Sequence, residues 1–127
     1  MDDILDDPDE QSFQDIVNSK FLYHPTNKSE LVNAVKECFK NGIKNFNCID
    51  VSKVKKFTKI FMNANMEGID VSLWNVSNGK DFDSMFYNCK NLTCDFSGWS
   101  LESVSNAKDM FYNCDITTTP KLPQTKL

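Results

Sequence analysis

Residues 85–89 read Met-Phe-Tyr-Asn-Cys, and the same five residues return at positions 110–114, 25 residues later. A more diverged copy lies 25 residues upstream, where Phe61 and Asn63 keep the register. A fixed period of this length is the sequence signature of a repeat protein, and it constrains the fold more strongly than local propensity does. The chain is therefore expected to contain about three copies of one structural unit.

Each unit combines two patterns. The short alternating stretches at 69–72 and 94–97 predict brief strands, whereas Phe82, Met85 and Phe86, continued by Cys89, have the spacing of a helical turn. One such unit cannot bury its apolar face alone, so successive units must stack. The pattern predicts an α/β fold: a short leucine-rich-repeat-like solenoid of about three 25-residue strand-helix units with an N-terminal α-helical cap.

The N-terminal cap is predicted over residues 27–41. Asn27 and Glu30 have capping-box spacing, and Gly42 can end the helix. An apolar stripe at helical spacing lies between them: Leu31, Ala34, Val35, Cys38 and Phe39. The predicted organisation is an acidic segment at 1–20 with a short helix, a capping helix at 21–44, repeats at 45–115 and a C-terminal tail at 116–127.

Two sets of residues recur in the repeats and are predicted to have structural roles. The aromatic set, expected to form stacked core ladders or else an exposed binding strip, is Phe61, Phe86, Phe111, Trp74 and Trp99. The asparagine set is Asn63, Asn88 and Asn113. Asparagine at a helix end adopts the left-handed conformation or bonds to the backbone of a neighbouring unit, and ligand contact is the alternative.

These motifs also carry a family resemblance. Residues 70–78 (DVSLWNVSN) followed by 85–89 resemble the BspA-type leucine-rich repeat, and residues 21–31 resemble the helix that often precedes such repeats. The resemblance covers residues 21–115, although Gly79 stands where valine is usual. Members of that family are surface, adhesion or phage-encoded proteins. The resemblance implies the repeat fold and a binding role, without a reaction or a ligand.

Composition and charge exclude several functions. The 127-residue chain suits one domain, and no apolar run approaches the roughly 20 residues of a membrane span. All 14 basic residues are lysine, which argues against sequence-specific nucleic-acid binding because arginine is the residue that pairs bidentately with phosphate and guanine. The single histidine, His24, excludes multi-histidine metal sites. The first ten residues lack signal-peptide features, so a cytoplasmic or virion-associated location is expected.

The five cysteines are Cys38, Cys48, Cys89, Cys94 and Cys114. Their odd number and the missing signal sequence favour free thiols in a reducing compartment. Their spacing does not match that of a zinc site, so no metal and no cofactor are predicted. The four glycines form no phosphate-binding loop, and no nucleophile-base pair is evident, so the chain is predicted not to be an enzyme.

Two charged clusters are candidate partner-binding sites. Seven acids and no base lie within residues 2–15, and the candidate residues there are Asp2, Asp3, Ile4, Leu5, Asp6 and Asp7. The basic candidates in the first repeat are Lys53, Lys55, Lys56 and Lys59. The alternatives are a solubilising tail and a solvated face, respectively.

The predicted function is a non-enzymatic protein-protein interaction module that is intracellular or virion-associated, as a phage structural or host-interaction protein. Its partner would be another protein or copies of itself, with neither nucleic acid nor a membrane involved. Two alternatives stay open: a fragment of a bacterial surface adhesin, and a small inhibitor or adaptor that acts on a host enzyme.

Overall fold

A computed structural model of the chain describes residues 21–122. The acidic candidate residues, together with the predicted short helix around Phe13, Ile16 and Val17, lie outside this range. The described part begins with a short extended segment and a helix. Three 25-residue units follow, beginning at Asn45, Asp70 and Asp95.

Helix α1 spans Lys28–Lys40, within the predicted range 27–41. The Asn27 side chain accepts a hydrogen bond from the Glu30 N–H at 2.9 Å, and the Glu30 carboxylate accepts one from the Thr26 N–H at 2.7 Å. The first bond satisfies an N–H group that a helix start otherwise leaves unpaired, and the second holds the residue before the N-cap against the first turn. Leu31, Ala34, Val35 and Cys38 are buried on one face. The helix ends before Gly42, which has a positive φ of 70°.

The predicted strand-helix solenoid of leucine-rich-repeat type is wrong. Within residues 21–122 the regular elements are α1 and the single 3-10 turn Phe46–Cys48. The extended pairings within residues 21–122 are six isolated parallel bridges, four between units and one at each end of the repeats. None of them lengthens into a strand, so the described chain has no β-sheet. The units consist of turns.

The chain turns after a bridge because the bridge residue is often an aspartate or an asparagine. Its side-chain oxygen accepts a hydrogen bond from the N–H group two residues later, and this closes an Asx turn instead of continuing a strand. Five bridge residues do this, at distances of 2.8–3.2 Å: Asn45, Asn65, Asp70, Asp81 and Asn106. These side chains prevent strand pairing from extending beyond one residue.

The predicted helical segments fail for a different reason. In the unit that contains Phe82 and Phe86, Ser84 and Asn88 have positive φ angles of 55° and 57°. The corresponding pairs are Lys59 with Asn63 and Asp109 with Asn113. A left-handed residue at every fourth position interrupts a right-handed helix while keeping apolar side chains on one side. The i, i+3, i+4 pattern is therefore present without a helix.

Backbone hydrogen bonds between units hold the turns in register. Phe57 N–H donates to the Asp81 carbonyl, and Phe82 N–H donates to the Asn106 carbonyl, both at 2.7 Å. Asp81 C=O and Phe82 N–H belong to one peptide group, so the two bonds form a continuous column through three units. Four such columns run side by side, starting from the N–H groups of Phe57, Lys59, Phe61 and Asn63.

The core is formed by buried apolar side chains from α1 and the three units. Phe57 and Phe82 stack with their ring centroids 5.1 Å apart and their planes 1° from parallel. Gly79 is buried beside this pair, where a Cβ atom would lie 2.9 Å from Phe57 Cε2 and closer still to the Phe82 ring. Glycine replaces the expected valine at this position because no side chain fits there.

Candidate interaction surfaces

The repeated aromatic residues lie inside the molecule. Phe61 stacks on Phe86 with centroids 5.4 Å apart, and Phe86 stacks on Phe111 at 5.3 Å. Trp74 and Trp99 stack at 6.3 Å and are also buried. Phe111 is half-buried, because it is the last ring of its ladder.

The tryptophans and two cysteines make polar contacts that their spacing alone did not reveal. Trp74 Nε1 donates to the Phe46 carbonyl at 2.8 Å, and Trp99 Nε1 donates to the Val71 carbonyl at 2.9 Å. Cys89 Sγ lies 2.9 Å from the Phe61 carbonyl, and Cys114 repeats this contact one unit later. These bonds give the buried indole N–H groups an acceptor, and a buried donor without one would be costly. Each of the four carbonyls also accepts a backbone N–H.

The repeated asparagines form a ladder of side chains. Asn88 Nδ2 donates to Asn63 Oδ1 at 3.0 Å, and Asn113 Nδ2 donates to Asn88 Oδ1 at 2.6 Å. All three residues have φ between 57° and 64°, the left-handed conformation. The asparagines therefore join neighbouring units by side-chain hydrogen bonds. The N–H groups of Asn63 and Asn88 add backbone hydrogen bonds to the next unit.

The four lysines of the first repeat are exposed. No carboxylate of residues 21–122 lies within ion-pair distance of Lys53, Lys55, Lys56 or Lys59. Lys56 and Lys59 belong to the segment where the hydrogen-bond columns begin. The carbonyl end of aligned peptide dipoles carries partial negative charge, so cationic side chains are favourable there.

All five cysteines are free thiols. Burial raises the pKa of both Cys38 and Cys89 to about 12, and it raises the pKa of Cys94 to about 11. Thiols with such pKa values are protonated near neutral pH and react slowly as nucleophiles. Among the residues that the structure describes, no three His, Cys, Asp or Glu side chains form a group suited to a metal ion.

A further surface lies at the C-terminal end of the repeats, where the two prolines after Cys114 predict a thin cap that needs a partner. The columns end there at the N–H groups of Ala107, Asp109, Phe111 and Asn113, which have no acceptor among residues 21–122. An apolar cleft of about 330 Å³ adjoins them, and it is lined by Leu101, Ala107, Met110, Phe111, Thr119, Pro120 and Leu122. Next to it, Tyr112 is 56% exposed and stacks on Tyr87. We call the four N–H groups, the cleft and Tyr112 the end face.

The end face has a defined polarity. Every peptide group in the four columns directs its N–H towards this end, so the partial dipoles add as they do in a helix. The alternate carbonyls point the other way, from residues 106, 108, 110 and 112 back to the previous unit. The end face therefore presents hydrogen-bond donors without matching backbone acceptors.

A second apolar patch lies on the side of the molecule. Leu73 is 79% exposed and Leu22 is 65% exposed, and together with Ile43 and Cys48 they line a shallow groove. Leu73 N–H already donates to the Asn47 side chain at 2.9 Å, and Leu22 N–H donates to the Cys48 carbonyl. This groove offers apolar contact with most of its backbone donors paired.

A family model described as "Mycoplasma protein of unknown function, DUF285" matches residues 10–122, which include the helix and all three units. The chain belongs to the DUF285 family. No curated protein and no solved structure matches it significantly.

The family assignment corrects the resemblance drawn from the motifs. DUF285 is a different family from the BspA-type leucine-rich repeats, so the BspA-like assignment is wrong. The family description gives no support to the expected phage and virion association, which we withdraw. No helix of the described DUF285 chain is long and apolar enough to cross a membrane.

Proposed function

We propose that this DUF285 protein is a non-enzymatic protein-protein interaction module that contacts its partner through the end face. The observation that carries the proposal is the row of four N–H groups without acceptors beside an apolar cleft. A row of N–H groups without protein acceptors resembles the unpaired edge of a sheet, which is a template for pairing with another chain.

The chemistry of the end face suits protein better than small-molecule recognition. The cleft supplies apolar contact, Tyr112 supplies a large amphipathic ring, and the N–H row supplies directional main-chain recognition. This combination is typical of sites that recognise the main chain of a partner protein. The acidic residues 2–7 and the four first-repeat lysines remain predicted additional contacts.

Site-specific photo-crosslinking in the native source tests this proposal. A benzoylphenylalanine placed at Tyr112 should form a discrete covalent adduct with one protein. The same group at Lys36, which is exposed on the outer side of α1, should not form this adduct. An adduct formed through Leu73 and not through Tyr112 would show that the side groove, and not the end face, is the interaction surface.

The identity of the crosslinked protein also separates the alternatives. A host enzyme whose activity changes on binding would favour an inhibitor or adaptor. An extracellular protein would favour an adhesin fragment, and a second copy of this chain would favour self-association.

A further inference from the structure

We propose that the end face binds a further 25-residue unit of the same repeat type, carried by a partner chain that lacks a helix over its first unit. The inference rests on the proposed function and specifies the partner's chemistry. The partner's main-chain carbonyls would accept hydrogen bonds from Ala107, Asp109, Phe111 and Asn113.

The hydrogen-bond geometry of two existing junctions supports this assignment. Between the first and second units, N–H groups at alternate positions from 57 to 63 donate to carbonyls 24 residues later, at 2.7–3.0 Å. Between the second and third units, alternate positions from 82 to 88 do the same, at 2.7–2.9 Å. The four N–H groups of the end face occupy the equivalent positions in the third unit. A fourth unit would therefore supply acceptors at the spacing that these donors already use twice.

The side chains of the end face favour the same binding partner. Two stacks run through both junctions: in the second, the rings of Phe86 and Phe111 lie 5.3 Å apart, and Asn113 Nδ2 donates to Asn88 Oδ1 at 2.6 Å. A third stack, Tyr87 on Tyr112 at 4.9 Å, is present in the second junction alone, because residue 62 is methionine. Each stack is interrupted at the third unit, with Phe111 half-buried and Tyr112 exposed. A unit with Phe-Tyr-Asn in register would cover all three terminal residues together.

A second copy of this chain does not fit the end face. Two copies related by a twofold axis would place N–H groups opposite N–H groups, because the end face presents donors without backbone acceptors. A head-to-tail arrangement would offer the carbonyls of residues 56, 58, 60 and 62, which accept no hydrogen bond within residues 21–122, but α1 covers the phenylalanine ladder beside them. There the Phe39 ring packs against Phe46 at 5.1 Å and Phe61 at 6.4 Å. The position that would continue the phenylalanine ladder is thus already occupied by the chain's own helix.

A synthetic peptide with the sequence of residues 95–119, carrying serine in place of Cys114, is the probe for this proposal. We expect it to bind the full chain in a fluorescence anisotropy titration, whereas a scrambled peptide of the same composition should not bind. Absence of binding by the repeat peptide would overturn the inference. A crosslink from Tyr112 to a partner protein would still support the proposed function if the peptide did not bind.

Proline substitution tests the role of the N–H row. Ala107→Pro removes one of the unpaired donors and follows the bridge residue Asn106, whose extended backbone suits the position before proline. We expect about fivefold weaker peptide binding with an unchanged melting temperature, since a well-formed hydrogen bond contributes about 1 kcal/mol. Ala107→Ser keeps the N–H group and is the matched control, with binding within about twofold of the parent. Equal binding by the proline and serine variants would contradict the proposal.

Amide hydrogen exchange of the unmodified chain gives an independent readout if the proline variant does not fold. Adding the repeat peptide should slow exchange at Ala107, Asp109, Phe111 and Asn113 by about tenfold or more. Lys108 N–H already donates to the Asn106 side chain at 3.0 Å and should change little. Protection confined to other residues would place the peptide elsewhere and overturn the inference.

Discussion

At the residue scale, aspartate and asparagine side chains decide where this chain turns. The Asp70 carboxylate accepts hydrogen bonds from Ser72 N–H at 2.8 Å, and this bond is the main cause that lowers the pKa of Asp70. Ser97 N–H lowers the pKa of Asp95 in the same way. Since both pKa values are lower in the folded chain than in the unfolded chain, these turns stabilise the fold above the unfolded value and lose that contribution as pH falls through the folded values.

Replacement of Asp70 tests this effect. Asp70→Asn keeps an oxygen acceptor but cannot be protonated in this range, and Asn45 forms the same turn in the first unit. We expect the asparagine variant to stay near parental stability at pH 6 and to lose less stability than the parent between pH 4 and pH 2. Asp70→Ala removes the turn and should lose about 1 kcal/mol at pH 6. Urea denaturation at both ends of the range measures this, and an asparagine variant with the parent's full acid sensitivity would assign that sensitivity to other groups.

At the element scale, each repeat unit contains a run of turns in which two left-handed residues lie four positions apart. Asn88 has a φ of 57°, and its side chain lies in the ladder between Asn63 and Asn113. The conformation favours asparagine or glycine, because other side chains clash with the following carbonyl. The same residue therefore satisfies a backbone requirement and an inter-unit contact.

Comparing Asn88→Ala with Asn88→Gly separates these two contributions. Both variants lose the side-chain bonds, but only alanine has to hold a β-carbon at positive φ. We expect alanine to be less stable than glycine by about 1 kcal/mol, as measured by the urea midpoint. An alanine variant as stable as the glycine variant would show that the turn at this position can rearrange.

At the scale of the whole molecule, the aromatic ladders connect all three units into one core. Phe86 is fully buried and its ring lies within 5.9 Å, centroid to centroid, of Phe61, Phe96, Phe111 and Trp99. A side chain shared by neighbouring units couples their stability. Loss of the Phe86 side chain should therefore destabilise all three units together.

Phe86→Ala measures that coupling. Removing a fully buried phenylalanine should lower the free energy of unfolding by about 3–5 kcal/mol, a large part of the total for a domain of this size. Leu73→Ala is the matched control, because its side chain is 79% exposed and should cost less than about 0.5 kcal/mol. A Phe86→Ala chain that unfolds at the parental urea concentration would show that the site repacks without loss.

Prediction and structure agree for the helix and disagree for the backbone of the repeats. The capping motif at Asn27 and the apolar stripe of α1 are local signals, and the helix lies where they place it. The strand and helix assignments in the repeats failed because periodicity reports which side chains face the core, not which backbone conformation brings them there. Asx turns at residues such as Asp70 and positive φ angles at residues such as Asn88 produce the same apolar spacing with neither element.

The 25-residue period by itself determined which residues are equivalent, because identical units packed in register bring identical side chains together. Phe61, Phe86 and Phe111 follow from it directly. Only the tertiary structure decided the direction of the hydrogen bonds between units, since their partners lie 24 residues apart and no local pattern specifies them. The donor row from Ala107 to Asn113 is the consequence of that direction. It exists because every peptide group in the columns points the same way and no carbonyl of residues 21–122 accepts from the third unit.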